Sequence, residues 1–376
     1  MNRKIIPVIA AVTFASASLA MGQVYTCSVL YPLTVPTGFE MSASANAFEF
    51  DAAAGGVAGH VINLVTGYGD AVLWSGPTGT ALVLNPGGFT PTNAVAVDDG
   101  QVVGGGDGHA LLWSNPSATP TDLNPNGFIS SVAGAIGDGQ EVGSGNIAVA
   151  GFPPTGPEHA LLWYGTAASA VDLGTGPSGF ASAVAVGVDG SQQVGYGGGN
   201  ATGGSEHALL WSGTAVSVVD LNPSGFWGST ANGVADGQQV GSGQKTLGST
   251  TDALLWYGSA SSYIDLNPNG FVNSQAHGIG DGYQVGWGVN TLTSSSDALV
   301  WSGSADSCID LGTLLPPGEF LFSTADSVDP SGNIYGLAEE PGGNLYAVEW
   351  SPVPEPATTS LLVIAGTVVL MQRRRG

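Results

Sequence analysis

An apolar run ending in tryptophan recurs along this chain, most often as Ala-Leu-Leu-Trp. Its tryptophans are Trp74, Trp113, Trp163, Trp211, Trp256, Trp301 and Trp350, spaced 39 to 50 residues apart. Each has an alanine three positions earlier, from Ala71 to Ala347. A run that is apolar at successive positions, with no polar alternation, predicts a strand buried on both faces. The flanking patterns are shorter. Asp-Gly followed by a Val-Gly run, as in Asp138-Gly139-Gln140-Glu141-Val142-Gly143 and Asp236-Gly237-Gln238-Gln239-Val240-Gly241, predicts a hairpin, because both central positions of its turn need φ > 0. Trp-Ser-Gly or Trp-Tyr-Gly then ends one strand and turns into the next. A third marker reads Asp-Leu-Asn-Pro-x-Gly-Phe at its best, as from Asp122 to Phe128, and its phenylalanines are Phe89, Phe128, Phe180, Phe226, Phe271 and Phe320. Its Asn-Pro-x-Gly segment punctuates the link to the following unit. One repeat therefore reads as four short strands. For the fifth unit they are Ala231 to Ala235, Gln238 to Ser242, Asp252 to Trp256 and Ser262 to Leu266.

Four-stranded units of about 45 residues, each sheet covered by its neighbours, predict a β-propeller. The seventh unit has its Trp350 strand but no fourth strand after it. The missing piece stands at the other end, where Cys27 to Leu33 leads to Gly38-Phe39. Cys27 lies 12 residues before Phe39, as Cys308 lies 12 before Phe320. The expected fold is thus all-β: a seven-bladed propeller of four-stranded blades over residues 23–351, with the N-terminal strand completing the last blade and closing the ring. The same alignment places Cys27 and Cys308 at matching sites on the outer strands of adjacent blades, beyond the roughly 7 Å Cα separation a disulfide tolerates.

Both ends carry signals. Met1-Asn2-Arg3-Lys4 is a short basic start, Ile5 to Ala20 is uncharged and rich in small and apolar residues, and Ser18-Leu19-Ala20 has a small-x-small cleavage pattern. This is the build of a secretory signal peptide over residues 1–22, with cleavage after Ala20 or, as second choice, after Gly22. At the far end, residues 352–376 hold Pro354-Glu355-Pro356, an apolar run from Ala357 to Met371, and Arg373, Arg374 and Arg375. The arginines would keep that end cytoplasmic. This three-part tail resembles the PEP-CTERM sorting signal of bacterial exported proteins. The resemblance implies a transmembrane sorting helix over residues 357–371, a membrane protease of the exosortase type as partner, and an association with exopolysaccharide. The repeat core, His109-Ala110-Leu111-Leu112-Trp113 and again at His159 and His207, resembles the HAF repeats of exported proteins, with leucine in place of their phenylalanine. That likeness implies a propeller and no particular activity.

Charge narrows the partners. The chain has six Lys and Arg against 29 Asp and Glu, a net charge of −23. Five of the six basic residues lie in the two signals, so the exported body keeps only Lys245. Such a body repels phosphate backbones, which excludes nucleic acid, and it avoids anionic lipid.

Candidate chemistry is sparse. His109, His159 and His207 occupy one repeat position, filled elsewhere by Asp70, Asp252, Asp297 and Tyr346, and are read as strand-end groups satisfied by a neighbouring blade. His60 and His277 are read as structural. The repeated Asp122, Asp220 and Asp265 could supply calcium oxygens, but no Asp-x-Asp-x-Asp-Gly loop is present, so turn and cap roles are expected and no cofactor or metal site is assigned. The paired acids Asp98-Asp99 and Glu339-Glu340 lack a partner for glycoside hydrolysis. Gly104 to Gly106 and Gly197 to Gly199 lack the lysine and helix of a phosphate loop. No catalytic residue is assigned, and the chain is expected not to be an enzyme. The expectation is an exported, envelope-sorted binding or matrix component for extracellular polysaccharide, membrane-held through its tail before processing. The alternatives are a glycan-active propeller enzyme or a purely structural envelope protein. Binding is expected on the face with the most variable linkers: Ser144 to Glu158, Tyr196 to Glu206 and Gly243 to Thr251.

Overall fold

The computed structural model describes residues 23–41, 49–51, 56–75, 80–84, 86–147 and 156–353. They form seven antiparallel sheets arranged as the blades of a closed propeller. The fifth blade is representative: Gly228–Ala235, Gln238–Gln244, Thr251–Trp256 and Ile264–Asp265 lie side by side in chain order, from the axis outward. In the first blade the innermost position is shared by Phe39–Met41 and Glu49–Asp51, both paired with Gly56–Asn63. The seventh blade takes Phe322–Val328, Ile334–Glu339 and Leu345–Pro352 from the end of the chain and Tyr25–Pro32 from its start. Cys27 faces Trp350 across that seam, and Val353 N donates to Val24 O at 2.7 Å. The expected closure is therefore present. The predicted signal peptide, the sorting residues Pro354, Glu355, Pro356 and Arg373 to Arg375, and the 357–371 segment lie outside the described residues. Among those described, no helix is long and apolar enough to cross a membrane.

Each repeated residue has a structural cause. All seven repeat tryptophans are buried, and each packs against the preceding blade. Trp163, for example, lies against Val103, Leu112 and Leu123 of the second blade, and its Nε1 donates to Leu123 O at 2.8 Å. Trp211 and Trp350 make the same bond to Leu173 O and Leu311 O. The marker of one repeat is thus read by the next. The asparagine of Asp-Leu-Asn-Pro acts similarly. Asn124 Oδ1 accepts from Ser131 Oγ of the following blade at 2.8 Å, and that hydroxyl in turn accepts from Ala110 N. Asn222 with Ser229 and Asn267 with Ser274 repeat the arrangement. These buried groups are satisfied only when adjacent blades are docked.

The Asp-Gly turns have the expected geometry: Asp236 and Gly237 have φ of 50° and 76°. The glycine of Val-Gly has a different cause. A Cβ on Gly241 would lie 2.0 Å from Thr230 O, because the innermost strand bulges there. All six inner strands from the second blade to the seventh shift register at this point. A bulge leaves one residue unpaired and re-aims its side chain. The unpaired residues are Val95, Gly134, Val186, Asn232, His277 and Asp326, a ring around the axis.

The fourth strands are shorter than the pattern predicts. In the fifth blade only Ile264–Asp265 pairs, because Ala260–Ser262 forms a 3-10 turn held by Ser262 Oγ, which accepts from Tyr257 N and donates to Ser259 O. Cys27 and Cys308 are both free. They pack in successive blade interfaces, Cys27 with Val300 and Leu311, Cys308 with Leu255 and Trp301. Burial pushes both thiols up to about 12.

Candidate functional site

The recurring histidines sit where the third strand begins, on the face that carries the variable linkers. His109, His159 and His207 bond through Nδ1 to Asp122, Asp172 and Asp220 at 2.8 to 2.9 Å. Each aspartate belongs to the fourth strand of the same blade, which corrects the expected partner in a neighbouring blade. The register explains it: the third and fourth strands are adjacent, so residues 13 apart meet across them. In the fifth blade Asp252 and Asp265 occupy these two positions, and Lys245 Nζ bridges them at 2.7 and 3.0 Å. Among the described residues no group of three or more His, Cys, Asp and Glu is arranged to hold a metal. The paired acids have local roles. Asp99 occupies a φ > 0 position of its turn, and Glu340 accepts from Tyr346 and, at 3.1 Å, from Asn344, which in that order hold its carboxyl low. Gly104 to Gly106 and Gly197-Gly198 are ladder residues.

Two features do not repeat. The first is a cleft of about 540 Å³ on the variable-linker face, spanning the fourth, fifth and sixth blades. Tyr196, Glu206, Trp227, Thr230, Gln244 and Gln275 line it. Trp227 follows the repeat phenylalanine Phe226 and is fixed by its backbone, which donates to Gln244 O at 2.8 Å. Gly228 lets that segment approach the fourth blade, since a Cβ there would meet Glu206 O at 2.9 Å. Tyr196 stands opposite Ala208, one of the alanines that precede the repeat tryptophans. The residue opposite that alanine changes from blade to blade: His60, Gly105, Ser144, Tyr196, Ser242, Trp287 and Leu337. The small alanine makes room there, and the repeat leaves the position free to vary. Burial, then the carboxylates of Glu206 and Glu158, raise the Tyr196 phenol, so it stays a neutral hydroxyl.

The second is in the channel. His277 and Asp326, unpaired bulge residues of the sixth and seventh blades, meet through Nδ1 and Oδ1 at 3.2 Å. Thr324 Oγ1 donates to the other carboxylate oxygen at 3.1 Å. Trp287 Nε1 donates to His277 Nε2 at 3.1 Å. An indole N–H can only donate, so the imidazole proton sits on Nδ1 and points at Asp326. Both ring nitrogens are engaged. A cavity of about 170 Å³ adjoins this pair, lined also by Asn232 and by Ser327. The Ser327 hydroxyl oxygen is buried and has no hydrogen-bond partner among the described residues.

A cleft lies on the face that carries the variable linkers, but the sequence reading missed its aromatic residues and read His277 as structural without a partner. The available signal was the tryptophan count: nine are present, seven belong to the repeat, and the remaining two are Trp227 and Trp287.

No family model and no curated protein matches the chain. Solved structures do. A serine-to-alanine mutant of puromycin hydrolase, complexed with PGG, superimposes with a TM-score of 0.57 at 11% identity. Puromycin hydrolase itself superimposes with a TM-score of 0.55 at 11% identity. In each case 82% of this chain is covered, and it spans about half, 52%, of the neighbour's length. At this identity the likeness shows the fold alone. The expectation that the chain is not an enzyme is nevertheless corrected: it rested on polar residues recurring with the fold, whereas this fold is also that of a hydrolase, so the fold gives it no ground, and the channel holds a non-recurring His277–Asp326 pair.

Proposed function

We propose that this chain is an exported, envelope-sorted propeller that binds extracellular polysaccharide in the Tyr196–Trp227 cleft. The carrying observation is that cleft: off-repeat aromatic residues beside amide and hydroxyl groups, on the face with the most varied linkers. An aromatic ring offers a flat apolar platform, and the surrounding polar groups give orientation. The sequence of the two ends supports the sorting half of the reading, with Pro354-Glu355-Pro356 and Arg373 to Arg375 as the segment an exosortase-type protease would handle and the tail as a membrane hold before processing. The test is retention of the full chain, in detergent, on immobilised bacterial polysaccharides, beside Trp227→Ala. Retention by the parent and at least about tenfold weaker retention by the variant supports the reading. Equal retention, or none by the parent, overturns it.

A glycan-active enzyme is the second reading, favoured by the His277–Asp326 pair. Released reducing ends in the same incubation, lost in Asp326→Asn, would establish it. His277 would then have to be freed from Trp287 when substrate enters.

A further inference from the structure

The charge around the cleft selects among glycans. Lys245 is the only Lys or Arg among the described residues, and it follows Gln244, which lines the cleft. Its ammonium is already shared by Asp252 and Asp265, at 2.7 and 3.0 Å, and it lies 5.7 Å from the Phe226 ring centroid. Among the described residues, the one charged side chain that lines the cleft is the carboxylate of Glu206. A second carboxylate, Glu158, is close enough to act on the same tyrosine that Glu206 acts on. The neutral polar lining groups are mostly hydroxyls and amides, among them Tyr196, Ser205, Thr230, Thr251, Gln244 and Gln275. Such groups exchange hydrogen bonds with sugar hydroxyls, but none supplies the positive charge that offsets desolvation of a carboxylate, sulfate or phosphate.

We infer that the Tyr196–Trp227 cleft takes glycans built of sugar units without acid groups, and rejects uronic-acid polymers. This rests on the binding reading above and adds the chemical class of the ligand. Three consequences separate it from a sticky aromatic surface. Neutral sugars need a stacking face, so Trp227 carries their affinity and phenylalanine substitutes for it. Acidic sugars are refused by charge at the site, so the refusal weakens when Glu206 loses its charge. Screening by salt weakens it too, because the cleft is open to water.

The experiment is isothermal titration of the full chain in detergent. The probes are a neutral β-glucan hexasaccharide and a polygalacturonate hexasaccharide, each in 20 mM and 300 mM salt, with Trp227→Ala, Trp227→Phe and Glu206→Gln alongside the parent; both salt levels are on the order of those at which surface charge is respectively felt and screened. The expected result is neutral-glucan binding at least about tenfold tighter than uronate binding in low salt. That gap narrows in high salt and in Glu206→Gln. Affinity for the glucan falls about tenfold or more in Trp227→Ala and survives in Trp227→Phe. Trp227→Phe also guards against a folding defect, since it keeps the platform. Uronate binding equal to glucan binding overturns the inference and leaves the binding reading standing. An unchanged gap in Glu206→Gln, or unchanged glucan affinity in Trp227→Ala, overturns the inference as well. Binding of neither probe removes both.

Discussion

Blades five and six solve one problem in two ways. In blade five, Asp252 and Asp265 face each other across adjacent strands with the Lys245 ammonium between them. In blade six, Asp297 and Asp310 hold the same two positions, opposite Gly288 and Leu299 as their counterparts are opposite Gly243 and Leu254. The residue matching Lys245 is Asn290. It gives Asp310 a hydrogen bond but no charge. Burial, and then the Asp297 carboxylate, push Asp310 up to about 6, well above the ordinary 3.8. The carboxylates near Lys245 raise its ammonium instead. The same two acids are thus offset by a cation where one is built in, and are a source of pH dependence where it is absent.

The sign for blade six follows from linkage. The folded chain holds the Asp310 proton to higher pH than the unfolded chain does. The stability tied to that proton is complete below about pH 4 and is lost as pH rises through about 6. Denaturant midpoints should fall over that window.

The largest expected effect comes from breaking the compensated blade. Lys245→Met leaves two carboxylates close together, Asp252 largely buried but the lysine itself 55% exposed, and after discounting for solvent screening should cost about 1–2 kcal/mol at pH 7, with much less lost at pH 4. Urea unfolding at the two pH values checks it; equal losses would mean that Lys245 acts through packing alone. Next is Asp310→Asn, which removes the charge from the uncompensated blade. It should raise stability by about 1–2 kcal/mol at pH 7 and by almost nothing at pH 4. Glu141, whose carboxyl is also raised by burial, contributes its own share of the slope. It accepts from Gly165 N where the next three blades use Gln193, Gln239 and Gln284 for the same bond. Glu141→Gln should therefore flatten what Asp310→Asn leaves. Asn290→Lys transplants blade five's solution into blade six and should gain about 1 kcal/mol at neutral pH while abolishing the Asp310 share of the slope. A gain that is identical at pH 4 would show that the lysine does not reach the pair. The smallest effect belongs to the half-exposed His–Asp pairs of blades two to four, where His109→Ala should change stability by no more than about 0.5 kcal/mol.

The comparison also marks what the amino-acid pattern could reveal. Blade number, ring closure and the buried Ala-Leu-Leu-Trp strand were legible because each repeats, and repetition separates pattern from accident. The bulge was visible only indirectly. The Val-Gly glycine records it, but reading that requires knowing that Thr230 O stands where a Cβ would be. Without the bulge, His277 and Asp326 are unrelated residues 49 apart, and their meeting in the channel has no periodic signature. Trp227 and Tyr196 were hidden for the opposite reason. They depart from the repeat, so aligning the units discards them. The fourth strand of the fifth blade was overestimated because Tyr263 and Ile264 suit a strand, whereas the Ser262 hydroxyl closes a 3-10 turn through Tyr257 N and Ser259 O just before it.

The seam of the ring has a mechanical side. Gln23 and Val353 emerge together on the face of the Asp-Gly turns, opposite the cleft, and Gln23 Nε2 donates to Val353 O at 3.3 Å. If the proposed tail sorting holds, a tether attached beyond Val353 would hold the disc by its underside and turn the Trp227 face outward. Tension on that tether enters Leu345–Pro352, which is flanked on one side by Ile334–Glu339 and on the other by Tyr25–Pro32. A pull along the strand loads both ladders in shear, many bonds at once, instead of peeling them one by one. Under the proposed reading, the strand that closes the circle would also be the clamp that resists drag on a ligand held in the cleft.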